Sequence, residues 1–528
     1  MRNIIADLLA EKGPCLTTDL TAALVKSGLS PDAARKQVSR MGSPINRLPH
    51  LIFPHRARFV YLQNDCGSRR YWRALKKAIV TKSAAYGPAL AALTQRGGIM
   101  PKVHFSIACG SPIRQKKQLS ADVIYDRFVW AGITREIEVP GVGTCVIASD
   151  VDEGLTQLDI AQLKARLVTE DILLLAVRDW IRKLGLASYE KIMIRDTVES
   201  LPRVGTFAWD LTGPSYLAPM VDWAGNEKPK PGFIACDVLL STVDEYGIVP
   251  FIKKCTTLRN LKKVGRCLQI FVAERYTEKA FSQAKQAGLV PATPESLFGR
   301  EVAQGLTRLT EVLTQAATSA ITHDVFEELF QSLGRIEGAA GNLRGALFEL
   351  IAAELARELE GGHVTINKII KDDETDKKAE IDVLVVNDHR RVLFIECKGN
   401  LPTVQVDDEL VKLWLTDRVP LIRKYALQHQ DWKRLEHRFE FWTTGMLSPV
   451  AVNMLHYATT TTKKYEIGYK SAEAIKEYVT PIKKSPLVKT LEQHFFNHPL
   501  VSLEKAAAAK EGRAARARRQ TAELGLLP

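Results

Sequence analysis

Apolar positions recur at helical spacing near the start of the chain, and the rhythm then changes more than once. Ile4, Ile5, Leu8 and Leu9 form one apolar face that Gly13-Pro14 ends. A second helix is predicted from Thr17 or Thr18, carrying Leu20, Ala23 and Leu24 before Gly28. A third begins at Ser30-Pro31, an N-cap followed by proline at the first helical position, and runs to about Arg40. The stretch LPHLIFPHRARFVYL then alternates enough for two short strands. Over 67–164, YWRALKKAIV, GPALAALTQRG and LSADVIYDRFVWAGI read as helices, and ITREIEV and TCVIAS as strands around Pro140-Gly141. From about 165 helical and β-rich runs alternate. EDILLLAVRDWIRKLGL and TEKAFSQAKQAGL are predicted helices, with TFAWDL, GFIACDVLLS, VPFIKKC and LQIFVAE as strands. Residues 301–335 are predicted to be a helical connector, and 481–528 a basic helical tail with Lys505, Lys510, Arg513, Arg516, Arg518 and Arg519.

The expected fold class is therefore α/β and multidomain, as the length of 528 residues requires. Three helices and a hairpin at 1–66 resemble a winged helix-turn-helix, and a second unit of that kind is expected at 67–164. The resemblance implies that the third helix enters a DNA major groove, offering Arg35, Lys36, Gln37, Ser39 and Arg40, with Arg56 and Arg58 of the wing near phosphates. A protein–protein module is the alternative for the same surface. Lys+Arg 73 against Asp+Glu 60 gives a net charge of +13 and favours a polyanionic partner.

The eight cysteines never take Cys-x-x-Cys spacing, which argues against a zinc or redox site. No phosphate-binding GxxxxGK[ST] loop, HExxH or GxSxG occurs. No stretch approaches the roughly 20 apolar residues of a membrane span, and the expected location is the cytoplasm.

The chemistry concentrates at 341–400. GNLRGALFELIAAELAREL is a long predicted helix, followed by a polar, Gly-rich break and AEIDVLVVNDHRRVLFIECKG, two strands joined by a tight turn at 387–390. Asp382 opens the first strand. Glu396 and Lys398 differ by two positions on the second and share a face, with Cys397 on the other. Pairing of the two strands brings Asp382 towards Glu396, and acidic groups on buried strands are costly unless a cation offsets them. Asp382, Glu396 and Lys398, with RGxxFE at 344–349, resemble the PD-(D/E)xK superfamily of metal-dependent nucleases over roughly 336–480.

That resemblance implies a restriction-endonuclease-like domain hydrolysing DNA with Mg²⁺ or Mn²⁺. Asp382 and Glu396 would be ligands, Lys398 would stabilise developing charge, and Glu349 would complete the set. It further implies a homodimer if both strands are cut, an activating partner protein as an option, and restriction or anti-phage defence as a setting. A non-catalytic DNA-binding regulator and a structure-selective repair nuclease remain open. The helical wheel turns Glu349 to solvent and sets Glu354 nearer the apolar stripe as its competitor, while Glu380, Asp388 and Lys412 are expected to be surface charges. In the α/β domain expected at 165–300, Asp237 and Lys254 echo Asp382 and Lys398, with Ile252 in the place of Glu396, so a degenerate nuclease-like domain is expected there.

Overall fold

The computed structural model describes residues 4–496 except 153, 189, 196–199, 223–229, 262–263, 316–324, 326–327, 330–331, 334–339, 373, 376, 388–389, 401, 403 and 483–484. The basic residues expected at 505–519, Asp388 and much of the connector beyond 315 lie outside the described residues. The chain forms two compact units, 1–163 with 173–303, and 164–172 with 304–528.

The first unit begins with α1 (Ile4–Lys12), β1 (Cys15–Leu16), α2 (Thr17–Lys26), α3 (Pro31–Ser39), β2 (Ile45–Arg47) and β3 (Phe59–Leu62), the strands ordered β1-β3-β2. Ser30 caps α3 by accepting from the Ala33 N–H. At its other end the Arg47 guanidinium donates to the Val38 and Ser39 carbonyls. Next come α4 (Arg69–Lys82), α5 (Tyr86–Gln95), β4 (Ile99–Pro101), α6 (Lys102–Ala108), α7 (Ala121–Trp130), β5 (Thr134–Val139) and β6 (Gly143–Ala148). From α5 onward the order helix, strand, helix, helix, strand, strand repeats that of α1 to β3, and the sheet order β4-β6-β5 repeats it too. One core spans both repeats, with Leu16, Leu48, Phe53 and Phe59 packed with Tyr71, Leu90, Phe105 and Phe128, and a separate one within the first repeat holds Ile5, Leu9, Leu20, Leu24, Ala34 and Val38.

After the long helix α8 (Gln157–Lys183), the rest of this unit is built on a five-stranded sheet. Its strands are β7 (Met193–Ile194), β8 (Leu211–Ser215), β9 (Gly232–Val243), β10 (Cys267–Tyr276) and β11 (Val290–Ala292), ordered β11-β10-β9-β8-β7. The segment VPFIKKC, expected as a strand, is instead the start of a helix, α9 (Val249–Arg259). Pro250 in the first helical turn and burial of Phe251, Lys254, Cys255 and Leu258 at intervals of three and four explain the difference. Lys254 still meets Asp237, but from a helix and not from a paired strand, so the layout expected by analogy with Glu396 does not form.

These groups are sealed in the interior. Asp210, Asp237 and Lys254 are between 1% and 4% exposed. The Lys254 ammonium donates to Asp237 and to the Ile107 carbonyl, and lies 3.9 Å from the Trp209 ring centroid. Asp237 accepts from the Asp210 N–H, Asp210 accepts from the Val238 N–H, and Arg195 donates to Asp210 at 2.9 Å. Burial pushes Asp237 up to about 6 against the pull of Lys254. Removing one partner strands the others in a low-dielectric interior, at a cost of about 3–5 kcal/mol. Lys254→Met is therefore expected to lower unfolding free energy by about that much in denaturant titrations, and a loss below ~1 kcal/mol would contradict the assignment.

The second unit contains α10 (Arg300–Gln315), α11 (Ala340–Glu360), β12 (His363–Lys371), β13 (Lys378–Asn387) and β14 (Arg391–Lys398). It continues with α12 (Asp408–Leu413), α13 (Val419–Gln428), β15 (Glu436–Thr443), α14 (Pro449–Thr461), β16 (Glu466–Lys470) and α15 (Ala472–Tyr478). The sheet order is sequential, β12-β13-β14-β15-β16, antiparallel across β12, β13 and β14 and parallel from β14 to β16. The polar, Gly-rich break contains β12, because Gly361 and Gly362 turn the chain at positive φ before HVTINKII pairs with β13. Among the described residues, no helix is long and apolar enough to cross a membrane.

Candidate functional site

The hairpin β13–β14 sets the site. Its ladder runs from Asn387 opposite Arg391 to Val383 opposite Ile395 and stops there. One position further, Asp382 and Glu396 are level with each other where the strands have left the ladder. There the Asp382 carboxylate accepts the Cys397 N–H at 2.8 Å, a side chain replacing a backbone acceptor. On the other side of β13 the pairing also skips Asp382, opposite Asn367 in the left-handed region at φ 53°. Asp382 therefore occupies a local opening between three strands.

Glu396 is 4% exposed, and its carboxylate accepts from two cations: Lys398 at 2.8 Å, and Arg418. The Lys398 ammonium also donates to the Cys397 carbonyl at 3.1 Å and lies 3.9 Å from Asp382. Burial works against the lysine's charge, but Asp382 and Glu396 outweigh it and hold the ammonium above its ordinary range. Burial pushes Asp382 up to about 7, helped by Glu396 and opposed by Lys398. Three of the residues anticipated from the sequence thus come together.

Glu349 joins them, contrary to the helical-wheel expectation that it faces solvent. Burial raises its carboxyl well above the usual range, with Asp382 adding to the rise and Lys398 opposing it. The approach of α11 to the end of β14 makes this possible. A Cβ on Gly399 would lie 2.3 Å from the Phe348 Cβ and 2.6 Å from the Arg344 carbonyl oxygen, so only glycine lets the helix pass this close. Glu354, the competitor, pairs with Arg357 at 3.3 Å. Glu380 is not the surface charge expected; it is half-buried against Lys164 and adds to the negative field on Asp382 and Glu349. Lys412 is an exposed partner of Glu409, as expected.

Arg418 is the group that sequence reasoning missed. It ends a single π-helical turn, Trp414–Arg418, between α12 and α13. Pro420 follows; it lacks an N–H and would clash with the carbonyl four residues back in a continuous α-helix, and the wider turn accommodates it. Trp414, buried and edge-on to Phe441 at 5.4 Å, anchors the turn and aims Arg418 at Glu396. Proline inside an otherwise helical run was the available cue.

Carboxylates on Asp382, Glu396 and Glu349 are of the donor type that a hard divalent cation prefers, and Asp382 resists ionisation without added positive charge. Among the described residues no three His, Cys, Asp or Glu side chains already converge closely enough to enclose an ion. At the proposed DNA surface, Arg35, Lys36, Ser39 and Arg40 are exposed and Gln37 is half-buried, while Arg35 lies 3.6 Å from Asp32. Arg56 is exposed; Arg58 is half-buried and donates back to the Leu51 carbonyl.

No protein-family model matches the chain, and no curated protein matches it. Among solved structures, restriction endonuclease FokI is similar over 87% of this chain and 82% of its own, at 11% identity and a TM-score of 0.18. FokI bound to DNA gives 87%, 81%, 11% and 0.19. Likeness at that level carries no argument about fold or activity. The chemistry rests on the side chains themselves.

A raised carboxyl has a signed consequence. Since Asp382 titrates in the folded chain near 7, above its ordinary 3.8, the folded state binds this proton more tightly than the unfolded state. Its stabilising contribution is complete below about pH 4 and is lost as pH climbs to about 7. Asp382→Asn removes that loss. In metal-free buffer the melting temperature of the variant minus that of the native chain should grow between pH 4.5 and 8, by a few degrees; a constant difference would contradict the placement.

Proposed function

We propose that this chain is a metal-dependent DNA endonuclease that hydrolyses phosphodiester bonds at the Asp382–Glu396–Lys398 site. The single observation that carries the reading is the convergence of buried carboxylates from neighbouring strands with an ammonium two residues along the same strand. Asp382 and Glu396 are the proposed ligands for Mg²⁺ or Mn²⁺, with Glu349 completing the set. A cation held there would supply positive charge to the scissile phosphate and acidify water next to it.

The chain's own groups divide the remaining work. Lys398 is held protonated by its acidic neighbours, so its part is to donate to the negative charge that develops on the phosphate, not to accept a proton. Asp382, raised to about 7, is able to hold a proton near neutral pH, and burial shifts Glu349 in the same direction. Arg418 shares Glu396 with Lys398 and balances its charge before a cation arrives. In this reading residues 336–480 form the nuclease domain. Residues 1–66 and 67–164 are winged-helix modules that bring it to DNA through Arg35, Lys36, Gln37, Ser39, Arg40, Arg56 and Arg58. Their repeated element order and exposed cations support that role. Restriction or anti-phage defence in the cytoplasm is the proposed setting, with dimerisation where both strands are cut.

One observation favours the rival reading of a DNA-binding regulator with a vestigial nuclease site: Glu396 is already engaged by two cations. Purified protein on plasmid DNA separates the two. The nuclease reading predicts cleavage with Mg²⁺ or Mn²⁺, none in EDTA, and at least ~10²-fold loss in Lys398→Ala and Asp382→Ala, in line with the loss of one transition-state donor. Cutting in EDTA, or full activity in Lys398→Ala, would overturn it. Arg418→Met should tighten Ca²⁺ binding measured by calorimetry by roughly 10-fold or more, because one charge-assisted hydrogen bond to Glu396 no longer competes. Unchanged or weaker Ca²⁺ binding would remove Arg418 from that role.

A further inference from the structure

The same unit holds a second concentration of unbalanced charge. A cleft of about 700 Å³ is bounded by α13, the N-terminal ends of β15 and β16, and the C-terminal end of α14. Arg423, Lys433, Arg438, Lys463 and Lys464 line it, against only Glu436 and Glu466. By register Glu436 is level with Arg391 and Phe441 with Glu396. The cleft thus opens about five residues, roughly 16 Å, from the carboxylates, towards the opposite end of the parallel strands.

Several cations elsewhere in this unit have acidic partners. Lys424 pairs with Asp372 and Glu374, Lys470 with Glu440, and Arg391 with Glu360. In the cleft, only Arg438 is matched, by Glu440 and Glu466. Lys433, Lys463 and Lys464 are exposed and have no acidic partner among the described residues. The Arg423 guanidinium lies over the Tyr465 ring at 4.7 Å, and its Nε is buried with no hydrogen-bond partner. A buried donor left unpaired and a row of like charges both cost folding free energy, and an anion in the cleft offsets both.

We propose that this cleft binds the phosphodiester backbone of DNA away from the point of cleavage. This rests on the nuclease reading for its partner, but not for its geometry. The cations come from four separate segments, α13, the turn before β15, β15 itself and the link between α14 and β16, which suits the repeated charges of a phosphate chain better than a single phosphate. Lysine ammoniums contribute charge without sequence readout, so the cleft adds affinity and not specificity.

The test uses the full chain carrying Asp382→Ala, with a labelled duplex followed by fluorescence anisotropy over a range of salt. Replacing Lys433, Lys463 and Lys464 by Gln should reduce the slope of log K against log salt by about 2 to 3, and weaken binding on the order of 10²-fold near 0.1 M salt. In the cleavage-competent chain the same three replacements should raise KM and leave kcat unchanged. Acetylation footprinting of the unsubstituted chain gives a second readout: DNA should protect all three lysines. Unchanged slope and affinity, or no protection, overturn the proposal. Protection by inorganic tripolyphosphate at micromolar concentration but not by DNA also overturns it, assigning a free-polyphosphate site. Loss of metal-dependent cleavage in the unsubstituted chain would sink the nuclease reading alone, since the binding result stands apart from it.

Discussion

Two carboxylates brought level at the open end of a buried hairpin cannot both ionise cheaply, and the second unit is organised around that conflict. Asp382 and Glu396 sit where the β13–β14 ladder has ended. The Cys397 N–H, Lys398 and Arg418 supply the opposing polarity. Gly399 lets α11 come close enough to add Glu349, and the π-turn before Pro420 brings in Arg418. Each of these features is unfavourable or unusual by itself. Together they hold more acidic oxygen in one place than the local cations fully offset, which is the electrostatic condition for taking up a divalent ion.

The first unit shows what happens when the same residue types are not left open. Asp237 meets Lys254 as Asp382 meets Lys398, but Asp210 and Arg195 close the network and burial excludes solvent. Every acidic oxygen described there has a donor or a cation, and the ammonium is further held against Trp209. That arrangement secures a fold; it leaves no room for a substrate. The difference between the two clusters lies in their access and charge balance, and residue identity alone does not reveal it.

Legibility in the sequence followed the same division. Period-two alternation around a tight polar turn was enough to place Asp382, Glu396 and Lys398 together, because pairing of two short strands leaves little freedom. Helix boundaries at 17–40 were readable from Ser30-Pro31 and Gly28, where local chemistry decides the outcome. The family resemblance put Glu349 in the site, whereas the helical wheel turned it to solvent because a wheel assumes one buried face. Leu347, Phe348, Leu350, Ile351, Ala352 and Ala353 are all buried, so α11 has no solvent side at that level. VPFIKKC was misread because a short apolar run fits either period, and tertiary packing chose the helix. Arg418 reaches the site through a local change of helix type that no periodicity encodes.

The catalysis proposed for the second unit requires that Asp382 and Glu396 together accept a hard cation. The decisive measurement is a crystal of the full chain soaked in Mn²⁺ and recorded at the manganese absorption edge. The expected result is an anomalous peak between the two carboxylates, with oxygens of both at about 2.1 Å, and Arg418 withdrawn from Glu396. A peak elsewhere, or no peak with Lys398 and Arg418 still on Glu396, would contradict it.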